Sequence, residues 1–220
     1  MKAKIYPSII SADHLHIKQE IDRLEPYCAG FHVDVMDNHF VPNLTSGIPL
    51  IDALCRGVSK QLWIHLMVDD VRPWIEKLFL PAGSIVSFHI ESKGGALDPI
   101  KMITEKNWLP SIAINPKTPL GNILPFVDQV YQVLIMSVEP GFSGQEFIKS
   151  SLDKVNTLAG YRQTADLSFR IGIDGGIKKT NLKEVHQHGV QDFAIASGIF
   201  KESDPVKTLQ EMNKMIDATY

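Results

Sequence analysis

Histidines and aspartates that could bind a metal ion occur within three apolar, β-branched segments of the sequence. His32 and Asp34 lie two residues apart in the first segment. His65 lies in the second segment, and Asp174 ends the third. Imidazole nitrogens and carboxylate oxygens together suit Zn²⁺, Fe²⁺, Mn²⁺ or Co²⁺, and ligand type alone does not choose among these ions. Each residue alone also fits a buried, hydrogen-bonded structural role. As a set, the four predict one divalent cation site, provided that the fold brings them together.

Glycine-rich segments follow three of the apolar runs, including the one that Asp174 ends, and could bind a phosphate group. They are residues 139–145 (EPGFSGQ), 174–177 (DGGI) and 196–199 (ASGI). Glycine lets the backbone approach an anion closely, and consecutive N–H groups can surround it. Ordinary turns are the alternative explanation, because glycine commonly ends strands. No segment matches a dinucleotide-binding or P-loop motif, so nucleotide binding is not expected.

Three methionines, Met36, Met67 and Met136, fall at or near the ends of the same kind of apolar run. Methionine often fills core gaps, and it can also form a soft apolar lining over a reactive centre. Both interpretations stay open from the residues alone.

Eight apolar segments alternate with helical patterns, and this alternation indicates parallel strands joined by crossovers. Eight such units favour a single (β/α)₈ TIM-barrel domain over residues 1–220; an open doubly wound sheet is the alternative. In such a barrel the active site lies at the carboxyl ends of the strands, where the candidate ligands would meet. The predicted strands are Lys4–Ile10, Phe31–Met36, Leu62–Met67, Ile85–Ile90, Ser111–Asn115, Val130–Val138, Phe169–Asp174 and Asp192–Ser197.

Apolar residues spaced three and four apart predict amphipathic helices between these strands. Alternation along the second strand puts His32 and Asp34 on one face, with Val33 and Val35 facing the helices. The clearest helical patterns are His14–Leu24, Phe147–Leu158 and Asp204–Ala218.

Composition narrows the classes of function. The 220 residues carry a net charge of −3 and are 44% hydrophobic, which supports a large core and argues against a nucleic-acid partner. No run approaches 18 apolar residues, so we expect no membrane span. The first ten residues are too short an apolar run for a signal peptide, and Pro7 interrupts them. The only two cysteines, Cys28 and Cys55, are expected to be buried apolar residues that form no disulfide. The lack of a signal-peptide pattern and of a disulfide framework predicts a cytoplasmic protein.

Several longer runs resemble the ribulose-phosphate 3-epimerases. The similarity keeps its register from about residue 5 to residue 205, and the run from His32 to Asn43 is the most specific. The matching segments are residues 7–13 (PSIISAD), 32–43 (HVDVMDNHFVPN), 65–67 (HLM), 115–119 (NPKTP), 136–142 (MSVEPGF) and 174–177 (DGGI).

The resemblance implies a TIM barrel of the ribulose-phosphate-binding type. It implies an isomerase of carbohydrate metabolism that interconverts D-ribulose 5-phosphate and D-xylulose 5-phosphate in the pentose phosphate pathway. Asp34 and Asp174 would be the catalytic acid/base pair as well as metal ligands beside His32 and His65. Zn²⁺ would be the first choice of metal, with Fe²⁺, Mn²⁺ or Co²⁺ as alternatives, and a homo-oligomer is expected. The implied substrate contacts are Ser8, Met36, His65, Met67, Met136, Gly141, Gly144, Gly175, Gly176 and Ser197.

This chemistry explains why both aspartates would be needed. Removing the C3 proton of a ketose phosphate leaves an enediolate, whose charge a divalent metal stabilises. Inversion then requires a proton to return on the opposite face, which one base cannot readily deliver and two carboxylates can.

Three positions depart from the family pattern. Asn38 stands where the family often has glycine, Ser143 replaces a glycine in the loop after the sixth strand, and Ala196 replaces the first residue of a Gly-Ser pair. These changes leave the sugar less certain than the reaction, so a 3-epimerase for D-allulose 6-phosphate is an alternative. A metal-free phosphate-binding lyase is another, although its expected strand-end lysine is missing and Lys117 lies in a loop between two prolines. A non-catalytic sugar-phosphate binder is the third.

Overall fold

Eight parallel strands form one continuous sheet that curves into a barrel. The computed structural model describes residues 1–217. Each strand pairs in parallel with its neighbours in the order β1-β8-β7-β6-β5-β4-β3-β2, and a parallel bridge between Ser8 and His32 joins the two remaining edges. The predicted (β/α)₈ barrel is therefore confirmed. The strands are β1 Lys4–Pro7, β2 Gly30–Met36, β3 Gln61–Met67, β4 Ile85–His89, β5 Leu109–Ile114, β6 Gln132–Met136, β7 Arg170–Asp174 and β8 Asp192–Ile195.

Helices surround the barrel except between β5 and β6. There, two 3₁₀ turns, Leu120–Asn122 and Leu124–Phe126, take the place of an α-helix. Other 3₁₀ turns occur at Ile9–Ser11 and Glu25–Tyr27. The helices are α1 Ile17–Leu24, α2 Ile48–Gly57, α3 Arg72–Lys77, α4 Leu97–Glu105, α5 Ser151–Thr164, α6 Lys179–Gln187, α7 Ser197–Phe200 and α8 Pro205–Asp217.

Several predicted strand boundaries were too long. β1 ends at Pro7, because the next residues turn into a 3₁₀ helix at the barrel mouth. β8 ends at Ile195, since Ala196 leaves the extended conformation (φ −94°, ψ −95°) and Ser197 begins α7. The predicted strand from 130 to 138 shortens to Gln132–Met136.

Two predicted helices begin later than expected. α1 begins at Ile17 because the Asp13 carboxylate accepts the Leu15 N–H at 3.0 Å and holds the preceding residues in a turn. α5 begins at Ser151, because the Ile148 N–H donates to the Ser137 carbonyl at 2.8 Å and ties that segment to the end of β6. α8 matches its prediction through Asp217, and Ala218 lies outside the described residues.

Buried apolar side chains form one large layer and two smaller clusters, one of which contains Met36, Val41 and Met67. Val33 and Val35 belong to the large layer between strands and helices, as predicted. Inside the barrel, Tyr6, Trp63 and Leu134 form a smaller buried cluster. Because this interior is filled with side chains, ligands can enter only from the mouth.

A buried ion pair closes the amino-terminal end of the barrel. Arg170 donates from Nε to Asp192 Oδ2 at 2.7 Å and from a terminal nitrogen to Oδ1 at 2.6 Å. Gln132 donates to the same carboxylate at 2.8 Å. The network satisfies charged groups that would otherwise be buried without partners.

The two cysteines are free, as expected. Cys28 is buried, whereas Cys55 is only half-buried on α2, so the expectation of two buried thiols was wrong for Cys55.

Candidate metal centre

Three strands bring the four predicted ligands together at the barrel mouth. His32 and Asp34 face the interior because they alternate with Val33 and Val35 along β2. Asp34 pairs in register with His65 on the neighbouring β3, and Asp174 is the last residue of β7. One nitrogen or oxygen atom from each of the four residues lies within 4.8 Å of all the others.

The spacing of these atoms matches the edges of a metal coordination shell. His65 Nδ1 lies 3.3 Å from Asp34 Oδ1 and 3.4 Å from Asp174 Oδ2, and His32 Nδ1 lies 3.4 Å from Asp34 Oδ2. Ligands bound at about 2.0–2.1 Å to one tetrahedral ion are separated by about 3.3–3.4 Å. These three contacts match the separations in such a shell, and all four residues lie within 4.8 Å of one another, close enough to converge on one small divalent cation.

His32 gives independent evidence for a missing partner. Its side chain is fully buried, yet neither Nδ1 nor Nε2 makes a hydrogen bond within the described protein. The 3.4 Å approach to Asp34 lacks hydrogen-bonding geometry. Since an unsatisfied buried imidazole is costly, the ring is better explained as a ligand that faces a cation.

The charges at this centre are strongly coupled. Burial by itself would raise the pKa of Asp34, but His32 and His65 outweigh this effect and hold the pKa well below its usual value. Burial would likewise lower the pKa of His65, whereas hydrogen bonds and charges from Asp174 and Asp34 raise it to about 9. Ser8 Oγ also donates to Asp34 Oδ2 at 2.6 Å. Asp34 is thus a carboxylate, and without a metal His65 carries the compensating proton.

A pocket that opens to solvent lies directly over the centre. Both candidate acids, Asp34 and Asp174, reach its wall. His65 is buried among the candidate ligands. The other predicted substrate contacts all line the pocket: Ser8, Met36, Met67, Met136, Gly141, Gly144, Gly175, Gly176 and Ser197.

The turn after β7 requires glycine at two consecutive positions. Gly175 has φ +114°, and a Cβ placed there would lie 2.5 Å from a methyl carbon of Val138. Gly176 has φ +64°, and its Cβ would lie 2.7 Å from the backbone nitrogen and Cα of Phe147. Both the conformation and the lack of space exclude other residues, so bare backbone forms this side of the pocket.

Backbone conformation explains one departure from the family pattern, and a loop contact explains another. Asn38 adopts φ +59°, a conformation in which asparagine is among the best-tolerated residues after glycine. Ser143 accepts a hydrogen bond from Ser11 Oγ at 3.1 Å and so links the loop after β6 to the loop after β1. The structure gives no comparable contact for the Ala196 side chain.

Sequence reasoning missed a second layer of residues behind the centre. His89 ends β4 and is buried next to His65. The Nε2 atoms of the two rings are 2.9 Å apart. Glu91 follows, 3.3 Å from His89 Nδ1. Desolvation lowers the pKa of His89 to about 4, so this ring is neutral. The only sequence signal for His89 was strand alternation, which places it on the same face of β4 as Ser87.

Fold and site together define a (β/α)₈-barrel enzyme with a candidate metal centre at the carboxyl ends of its strands. The sequence model of the ribulose-phosphate 3-epimerase family matches residues 4–200. The chain therefore belongs to this family of isomerases.

Curated relatives agree with this assignment over nearly their whole length. The cytoplasmic isoform of ribulose-phosphate 3-epimerase from Oryza sativa is 33% identical over 222 residues, covering 99% of this chain and 96% of the relative. Ribulose-phosphate 3-epimerase 1 from Cupriavidus necator is 39% identical over 207 residues, covering 91% and 86% respectively. Among solved structures, KGPDC from Streptococcus mutans superposes along the full length of both chains, with a TM-score of 0.71 at 12% identity. That likeness supports the fold alone.

Within residues 1–217, no helix is both long and apolar enough to cross a membrane.

Proposed function

We propose that this protein interconverts D-ribulose 5-phosphate and D-xylulose 5-phosphate by moving a proton at C3. The observation that carries the proposal is the convergence of two carboxylates and two imidazoles within 4.8 Å at the floor of one pocket. Family membership supports the substrate, since the relatives are named for this epimerisation.

His32, Asp34, His65 and Asp174 would hold one divalent cation, with Zn²⁺ as the first choice and Fe²⁺, Mn²⁺ or Co²⁺ as alternatives. When bound, such an ion supplies Lewis-acid stabilisation of negative charge on the substrate oxygens. The ligand spacing and the unsatisfied His32 ring support this assignment.

Asp34 and Asp174 would exchange the C3 proton, one carboxylate removing it and the other returning a proton to the opposite face. Both approach the same nitrogen, His65 Nδ1, at 3.3 and 3.4 Å. Two carboxylates held beside one point of the pocket floor could act in turn as base and as acid. Ser8 would hold Asp34 through its 2.6 Å hydrogen bond and contact the sugar from the same hydroxyl.

The remaining pocket residues would bind the rest of the substrate. Met36, Met67 and Met136 are each almost completely buried, and they line the pocket with apolar surface that excludes water from an unstable intermediate. The phosphate would contact the backbone around Gly144, Gly175, Gly176 and Ser197, and the loop carrying Gly141 would cover it. The Asn43 side chain ties this loop to the β2 side by donating to the Gly141 carbonyl at 2.6 Å.

A direct test measures turnover of D-ribulose 5-phosphate by the purified protein, before and after chelation and then with single metals restored. Asp34→Asn and Asp174→Asn should each lower kcat by a factor of about 10²–10⁴, because each removes one proton-transfer group. Asp153→Asn, in the first turn of the outer helix α5, is the matched control and should keep wild-type kcat.

Metal content must be measured for each variant, since both aspartates are candidate ligands. Wild-type turnover by either aspartate variant with metal bound would disprove the two-base mechanism. Activity that survives complete chelation would disprove the role of the metal. A higher kcat/KM for D-allulose 6-phosphate would move the assignment to that sugar. A homo-oligomeric state and a cytoplasmic location stay predictions.

A further inference from the structure

The nitrogen of His65 that faces away from the metal centre has a defined partner. His65 Nδ1 faces Asp34 and Asp174, while its Nε2 lies 2.9 Å from His89 Nε2. The two ring planes are inclined by only 17°. Both histidines are completely buried, so this contact has no competition from solvent. The Phe40 ring also contacts His89, with ring centroids 4.8 Å apart.

The chain of contacts continues to a carboxylate, which fixes the direction of every hydrogen bond. Glu91 Oε2 lies 3.3 Å from His89 Nδ1. A carboxylate can only accept, so His89 must carry its proton on Nδ1 and leave Nε2 as an acceptor. His65 must then donate from Nε2. The opposite arrangement would point an imidazole lone pair at a negative charge.

Backbone contacts hold Glu91 in place for this role. Its Oε1 accepts the Asn115 N–H at 2.9 Å, which leaves Oε2 for His89. Lys154 donates to the carbonyls of Asn115 and Thr118 at 2.7 and 2.6 Å, and so anchors the loop that supplies this N–H. The acceptor is thus positioned by the loop after β5 and by α5, neither of which contributes a candidate metal ligand.

We propose that His89 and Glu91 are positioning residues that hold His65 with its proton on Nε2 and its lone pair on Nδ1, directed at the metal. This inference rests on the proposed metal centre. Outer partners of this kind orient a ligating histidine and increase its basicity, and their loss typically lowers metal affinity by about 10–100-fold. Neither residue would touch the substrate, so the effect reaches the reaction only through His65.

The experiment measures the dissociation constants of Zn²⁺ and Co²⁺ by chelator competition on the metal-free protein, together with the visible spectrum of the Co²⁺ form. His89→Leu and Glu91→Gln should weaken both metals by about 10–100-fold and shift the Co²⁺ bands. His89→Gln should recover much of the affinity, because a glutamine Oε1 can accept near the position of the lost Nε2. A merely space-filling role would not distinguish glutamine from leucine in this way.

Two controls separate this role from general destabilisation. His186→Leu removes another buried histidine, on α6, whose Nδ1 contacts the Val190 carbonyl. Glu25→Gln alters a carboxylate that accepts the Ser59 and Lys60 N–H groups. Both should keep wild-type metal affinity. The Glu91 side chain is 22% exposed. If His89→Leu does not fold, Glu91→Gln therefore still tests the inference.

Metal affinity within twofold of wild type in Glu91→Gln, and in His89→Leu where it folds, would overturn the inference while leaving the metal centre intact. Equal losses of metal affinity in His89→Gln and His89→Leu would also overturn the inference. A wild-type protein that binds neither metal would overturn the inference and the proposed centre together.

Discussion

Gly176→Ala tests whether the turn after β7 is as constrained as its geometry indicates. The backbone at Gly176 has φ +64°, and an added Cβ would lie 2.7 Å from the nitrogen and Cα of Phe147. A left-handed conformation costs a residue other than glycine roughly 1–2 kcal/mol. Overpacking against atoms that cannot rotate away adds about 1–3 kcal/mol. We expect the free energy of unfolding to fall by about 2–5 kcal/mol in total.

Gly83→Ala provides the matched control for this variant. Gly83 has a similar φ of +78°, but no atom lies within 4 Å of its Cβ position. Only the conformational cost of roughly 1–2 kcal/mol applies there. Both substitutions restrict the unfolded chain equally, so that contribution cancels and the difference between the variants isolates the overlap with Phe147.

Urea denaturation followed by circular dichroism gives both free energies of unfolding, and steady-state kinetics give KM for the sugar phosphate. Gly176→Ala should also raise KM, because the displaced backbone borders the proposed phosphate site. Equal stabilities for Gly176→Ala and Gly83→Ala would refute the steric argument. Unchanged KM in a destabilised Gly176→Ala would refute the assignment of this turn to phosphate binding.

Three further predictions follow from the charged groups. Asp192→Asn should lower the free energy of unfolding by about 3–5 kcal/mol, because it leaves the buried Arg170 guanidinium without its counter-charge; a loss under 1 kcal/mol in urea denaturation would contradict this. Zn²⁺ binding at pH 7 should release about one proton, since His65 has a pKa of about 9 without metal and must be neutral to bind. Calorimetry in buffers of different ionisation enthalpy measures this proton release, and finding no released proton would contradict the prediction. Because the pKa of His65 is raised to about 9 in the metal-free fold, its contribution to stability is complete below about pH 6.5 and is lost as the pH rises toward 9. Thermal melts recorded at several pH values should show this decline in stability, and His65→Asn should flatten it.

Sequence periodicity was sufficient to place the four candidate ligands at the barrel mouth because strands impose a strict alternation. His32 and Asp34 had to share a face opposite Val33 and Val35, and the barrel brings the carboxyl ends of all its strands to one mouth. The resemblance supplied what alternation could not, namely the expected substrate and the expectation that both aspartates form the acid/base pair.

Features that depend on contacts between distant loops were not predictable. Asn43 contacts the Gly141 carbonyl across 98 residues of sequence, and the tie between Ile148 and Ser137 delays the start of α5. His89 lay inside a correctly predicted strand, but one histidine among apolar residues is indistinguishable from a core residue until its neighbours are known. Its role became visible only when β4 was placed beside β3.

The claim on which the whole account depends is that four side chains from β2, β3 and β7 bind one cation. Anomalous diffraction from crystals grown with Zn²⁺, recorded on both sides of the zinc absorption edge, measures this directly. We expect one strong peak about 2.0–2.2 Å from a nitrogen or oxygen atom of each of His32, Asp34, His65 and Asp174. No peak at that point, or a zinc ion bound elsewhere while His32 stays without a partner, would contradict it.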